Sequence, residues 1–167
     1  MKRSWLVCIA AIVLAACQPS GAPAPTGKPT VGPIREGSWV RAEGLRQGKP
    51  IVWQMLENYS VAAPRTQLLV ASWHFNTSAN DGQPDFDVNK EAEAIENKLV
   101  AALQPHARLV AVLDFNTQHD WYFYADDVAL KAQAEEALKS TPPRDIAVTV
   151  EDDNAGQFYG SLKQRLQ

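Results

Sequence analysis

The sequence predicts an α+β fold, and three observations carry that prediction. Segments that alternate apolar and polar residues, the mark of a half-buried strand, are interleaved with stretches whose apolar residues recur every three or four positions, the mark of a helix. From Gln67 onward the order reads β-α-β-β-α-β, the ferredoxin-like or split-βαβ sandwich, with helices on one face of an antiparallel sheet. An N-terminal β-hairpin precedes this unit and a C-terminal helix closes it.

Residues 38–44 and 50–57 form the hairpin, joined across Arg46-Gln47-Gly48-Lys49; the sheet edge it joins is left open. Residues 67–75 give the next strand, which runs into a turn-rich stretch over 76–85. Asp85 or Asp87 can cap the first helix, whose Val88, Ala92, Ile95, Leu99 and Leu103 share one face until Pro105 ends it. Residues 108–115 and 120–125 are strands around a turn at 116–119. Asp126 or Asp127 can start a second helix with Leu130, Ala134, Ala137 and Leu138 on one side, stopped by Pro142-Pro143. Residues 146–150 make the last strand. Ala155, Phe158, Tyr159, Leu162 and Leu166 mark one face of the closing helix.

The first 33 residues read as processing and tether. Lys2 and Arg3 precede an apolar run over 6–16, which is too short for a bilayer needing about 20 residues and has the length of a signal-peptide core. Leu14-Ala15-Ala16-Cys17 resembles the lipobox of bacterial lipoproteins. Residues 1–16 are therefore expected to be a lipoprotein signal peptide, with Cys17 the acylated first residue of the mature chain. Two or three acyl chains give stable membrane anchoring. Gln18, in place of the Asp that favours inner-membrane retention in enterobacteria, points to the periplasmic face of the outer membrane. Residues 18–33 carry Pro19, Pro23, Pro25, Pro29 and Pro33 among small residues, a composition that tethers rather than folds. The remaining stretch, 34–167, is long enough for a single domain with its own core.

Loss of Lys2 and Arg3 takes the net charge from −3 to −5. An acidic domain lacks the basic stripe that a nucleic acid needs. Cys8 leaves with the signal and Cys17 is acylated, so the folded part has no disulfide, thiol nucleophile or cysteine–metal site.

Trp39, Gly48-Lys49-Pro50-Ile51, Gly82-Gln83-Pro84, Trp121-Tyr122-Phe123-Tyr124 and Glu151-Asp152-Asp153 ahead of an aromatic helix resemble the bacterial family known as domain of unknown function 695. The resemblance runs from about Trp39 to the end. Near the end the chain departs from the family pattern, with Asp153-Asn154-Ala155 and then Phe158-Tyr159. That family is similar in architecture to the B-type regulator of ribonuclease E, a ferredoxin-like protein that binds an enzyme. The resemblance implies a fold and no reaction, and an envelope address separates the chain from a cytoplasmic ribonuclease.

Chemistry-bearing motifs are sparse. His106 follows Pro105 in a loop, His74 sits late in a strand, and His119 adjoins Asp120 in a turn. No Gly-x-Ser-x-Gly elbow accompanies them, and no phosphate-cradling glycine loop is present. Asp126-Asp127 and Glu151-Asp152-Asp153 lack the alternating spacing of a calcium loop and suit helix capping. No metal or other cofactor is expected.

Strand alternation puts Leu69, Ala71, Trp73, Phe75, Leu109, Ala111, Leu113, Phe115, Trp121, Phe123, Ile146, Val148 and Val150 against the helices. The other face then presents Ser72, His74, Val110, Val112, Asp114, Tyr122, Tyr124 and Thr149, unless the hairpin or closing helix covers it. His74, Asp114, Tyr122 and Tyr124 on an open sheet make a candidate protein-binding face, since aromatics are enriched at interface cores. The leading expectation is a non-enzymatic envelope lipoprotein that binds another envelope or secreted protein, with an inhibitor or immunity protein as one form. The alternative is a small periplasmic hydrolase or sugar-binding module using His74 and Asp114.

Overall fold

The computed structural model describes residues 35–77, 80–139 and 143–165. The signal peptide, Cys17, the proline-rich tether, the helix stop at Pro142 and Leu166 lie outside the described residues. No helix of the described residues is long and apolar enough to cross a membrane.

The chain runs through β1 (Trp39–Arg46), β2 (Lys49–Leu56), β3 (Gln67–His74), α1 (Phe86–Leu103), β4 (Ala107–Phe115), β5 (Gln118–Ala125), α2 (Leu130–Leu138), β6 (Ile146–Asp152) and α3 (Gln157–Arg165). The result is an α+β domain with a six-stranded antiparallel sheet in the order β1-β2-β4-β5-β3-β6. β5 lies between β3 and β4, the two strands that α1 connects, and β6 flanks β3. The hairpin joins the sheet beside β4, where Ile51 to Met55 pair with Phe115 to Ala111.

Local chemistry explains most element ends. Gln47 and Gly48 turn the hairpin in two residues at φ 54° and 76°, a left-handed pair whose twist matches that of the flanking strands. The expected four-residue loop thus tightens to two: β1 runs on to Arg46, and β2 starts and ends one residue earlier than expected, at Lys49 and Leu56. Asn116 and Thr117 do the same between β4 and β5, at φ 47° and 66°. Of the two possible caps for α1, Asp85 takes the role: its Oδ1 accepts the Val88 N–H at 2.9 Å. Neither Asp126 nor Asp127 is the cap of α2, which begins at Leu130 after Ala129. Asp127 instead accepts the Ala129 N–H at 2.8 Å in the turn before it. At α3, Asp153 accepts the N–H groups of Gln157 and Phe158 at 2.7 and 3.1 Å.

Two apolar layers form, one on each side of the sheet. Ala92, Ile95, Leu99, Val100 and Leu103 of α1 and Leu130 and Ala134 of α2 pack on Leu69, Ala71, Trp73, Leu109, Trp121 and Phe123. Leu68 and Tyr124, which alternate with Leu69 and Phe123 along their strands, pack instead with Tyr159 and Leu162 of α3. Hence α3 covers the face that strand alternation left open.

A bulge in β4 overturns part of the expected face assignment. Leu109 opposes Phe123 and Ala111 opposes Tyr122, which leaves Val110 as an extra residue. An extra residue reverses the in–out alternation beyond it. Val112 therefore joins the α1 layer, while Val110 and Ala111 join the α3 layer. Leu113 and Phe115, expected against the two helices, oppose Asp120 and Gln118 on the α3 side, and Asp114 turns to the α1 side opposite His119.

Candidate functional site

The four residues expected on one open face are not brought together there. Tyr124 is completely buried, stacked on Tyr59 at 5.4 Å between ring centroids, and its hydroxyl donates to Asp153. Tyr122 stacks on Phe158 of α3 at 4.4 Å and donates to Asp120 Oδ2 at 3.0 Å. Burial, followed by the Asp120 carboxylate, pushes the Tyr122 phenol well above its ordinary pKa. Burial and the hydrogen bond to Asp153 do the same to Tyr124. His74 stays exposed at the end of β3. Asp114 lies on the opposite face of the sheet, so the expected His74–Asp114 pair does not exist.

Asp114 has a different partner, and the two-residue turn supplies it. With Asn116 and Thr117 in the turn, positions 114 and 119 oppose each other directly. His119 Nδ1 and Asp114 Oδ1 lie 2.6 Å apart, with the residues 4 % and 6 % exposed. The His119 ring sits 4.4 Å from that of Trp121, centroid to centroid. His119, expected in a turn, is therefore a buried strand residue. Its Nε2 is buried with no hydrogen-bond partner among the described residues.

Glu96 completes the cluster from above. It sits four residues after Ala92 and three before Leu99, which places its carboxylate in the apolar stripe of α1, 1 % exposed. Arg35 answers the buried charge with a two-pronged contact, Nε to Oε1 at 2.7 Å and Nη2 to Oε2 at 2.8 Å. Trp121 Nε1 donates to Oε2 at 3.2 Å. The remaining Arg35 nitrogen donates to Gln54 of β2. Arg35, Gln54, Glu93, Glu96, Asp114 and His119 line a cleft of about 100 Å³.

This arrangement holds an imidazole in one tautomer. With its Nδ1 proton given to Asp114, a neutral His119 ring keeps an acceptor lone pair on Nε2. No group of three or more His, Cys, Asp or Glu side chains suited to a metal exists among the described residues. Two signals in the sequence point to the cluster. A two-residue Asn-Thr turn makes Asp114 and His119 cross-strand neighbours, and Glu96 interrupts an otherwise apolar helical face. Arg35 carries no such signal.

A second feature is the hairpin tip. Residues 43–49 are all exposed although those flanking the Gln47-Gly48 turn hold strand geometry, and Leu45 is 75 % exposed. The Arg46 guanidinium over the Phe115 ring, 5.1 Å from its centroid, ties the tip to β4. Lys49 adds a hydrogen bond to Asn116. No described strand pairs with the outer edge of β1. Glu57 N–H donates to the Ser38 carbonyl at 2.8 Å. Antiparallel ladders alternate, so the peptide groups of Arg41, Glu43 and Leu45 turn outward.

Comparison with known proteins adds a family and no activity. No curated protein and no solved structure gives a significant match. A family model described as "Family of unknown function (DUF695)" matches residues 37–162, and the chain belongs to that family.

Proposed function

We propose that this chain is an envelope-anchored lipoprotein whose domain binds another protein and catalyses no reaction. The projecting hairpin carries the reading. An ordered strand pair whose tip is exposed, with outward peptide groups beside Leu45, suits strand addition by an extended segment of a partner. A secreted effector held by an inhibitor or immunity protein is one form of such a partner. Cys17 and the tether support anchoring at the periplasmic face of the outer membrane. We read β3 to β6 with α1 and α2 as ferredoxin-like, because β5 lies between β3 and β4 and β6 flanks β3. That supports an architecture similar to the B-type ribonuclease E regulator.

The test compares capture of envelope proteins by the full chain and by two variants. Glu43→Pro removes one outward N–H, and Leu45→Asp replaces the exposed apolar side chain. Each should weaken a captured partner about thirtyfold, the loss expected from a hot-spot residue. A partner held equally well by both variants overturns the hairpin reading. Cys17→Ser should abolish acyl-chain labelling, and label retained by that variant overturns the anchoring.

One observation favours a second reading. His119, buried beside Asp114 with an unpartnered Nε2, is equipped as a general base, so a hydrolase would use His119 and Asp114 in place of His74 and Asp114. Turnover of ester or peptidoglycan substrates that vanishes in His119→Ala would replace binding with catalysis.

A further inference from the structure

We propose that two copies of this chain pair through their β1 strands, antiparallel about a two-fold axis at Ala42, so that their sheets join into one. The inference rests on the reading of this edge as a strand acceptor and names one strand that fits it, β1 of a second copy. A proline and a bulge are two devices that blunt an edge strand. β1 has neither, and its register with β2 is continuous from Trp39 to Arg46. Even-numbered residues of β1 bond to β2, as the contact between the Glu57 N–H and the Ser38 carbonyl shows. Trp39, Arg41, Glu43 and Leu45 therefore turn their peptide groups outward, ready for a second ladder.

Side chains select the register. Two-fold pairing opposes residues that are equidistant from the one on the axis. An axis at Arg41 or at Glu43 would set that charge directly against its own copy, which is destabilising. An axis at Ala42 sets Arg41 opposite Glu43 of the second copy, Glu43 opposite Arg41, and Trp39 opposite Leu45. These four residues share one face, because Trp39 packs on the α1 layer and the others follow at period two. Arg41 and Glu43 are exposed, and within one copy they already bond to each other at 2.8 Å. Across the axis the same unlike charges meet twice. Leu45, which the single hairpin leaves in water, gains the half-buried Trp39 ring as a cross-strand neighbour. On the other face Val40 opposes Gly44 and Ala42 meets its own copy, so small side chains flank the axis.

The test is sedimentation equilibrium of the detergent-solubilised full chain. One strand edge makes a small interface, below about 1,200 Å², so a reversible dimer with a dissociation constant of about 1–100 µM is expected. Arg41→Glu and Glu43→Arg each set like charges opposite each other twice, and each should weaken the dimer at least about tenfold. Mixed in equal amounts, the two variants restore both unlike pairs in the mixed dimer and should associate as the parent does. All four samples share the same micelles, so their differences report the strand edge. A parent that stays monomeric, single variants that associate as tightly as the parent, or a mixture no tighter than either variant alone overturns the proposal. Capture of an envelope partner is scored separately: a monomeric parent whose partner is lost in Glu43→Pro and Leu45→Asp overturns self-pairing and leaves the partner reading standing.

Discussion

Arg35 and Glu96 form a forked ion pair, 2.7 and 2.8 Å at its two contacts, across 61 residues of sequence. Glu96 sits in the buried stripe of α1, and Arg35 lies just before β1, two residues ahead of the segment that the family model matches. A carboxylate this deep in an apolar layer is stable only when a cation and further hydrogen bonds meet it, and Arg35 with Trp121 meets it here. The residue that enters the domain from the tether side is thus part of its core.

Arg35→Ala should destabilise the domain by about 3–5 kcal/mol, because it strands a buried charge. Arg35→Ala with Glu96→Met should recover much of that loss, since an apolar pair strands nothing. Urea unfolding of the three proteins checks this, and a single variant as stable as the parent would show that the pair is not buried in solution.

Asp114 and His119 should couple, and Asp114 and His74 should not. Contacting residues in a buried network give interaction energies of about 0.5–3 kcal/mol, whereas distant sites add within about 0.5 kcal/mol. Double-mutant cycles with alanine at each position measure both terms. Coupling between Asp114 and His74 would place them on one face and remove the bulge at Val110.

Stability should fall at alkaline pH through Tyr122 and Tyr124. Their folded-state pKa values lie above the ordinary tyrosine value of 10.0. The unfolded chain releases these protons first, so the stabilisation is fully present below pH about 10 and is lost as pH rises above it. Unfolding midpoints between pH about 9 and 11.5 should decline, and Tyr122→Phe with Tyr124→Phe should flatten the decline. An equally steep decline in the double variant would mean that other groups govern it.

Trp121 should tolerate substitution less well than its size alone implies. Trp121→Phe keeps most of the buried ring but removes the N–H given to Glu96, a loss of about 1–3 kcal/mol beside the packing change. Adding Glu96→Met should shrink the hydrogen-bond part of that loss. Thermal or urea melts compare the pair, and a Trp121→Phe cost unchanged by Glu96→Met would remove Glu96 as its partner.

The sequence by itself determined the elements whose signals are local. Spacing of four, three and four marked Val88, Ala92, Ile95 and Leu99 as one face of α1, the period-two pattern marked the strands, and Asp85 and Asp87 stood where a cap is needed. The α+β class followed from their order. Only the tertiary structure decided which face each residue took in the second half of β4, because Val110-Ala111-Val112-Leu113 is apolar throughout. A one-residue bulge inside such a run leaves no polar residue out of phase to betray it. The same bulge carried Asp114 beneath α1 to His119. The position of α3 was equally hidden: Phe158, Tyr159 and Leu162 declare an apolar stripe but not the surface it will cover. Stripes and alternation are fixed by a residue's nearest neighbours along the chain, whereas the choice of face and partner is settled by contacts between segments as far apart as Arg35 and Glu96, or Tyr59 and Tyr159.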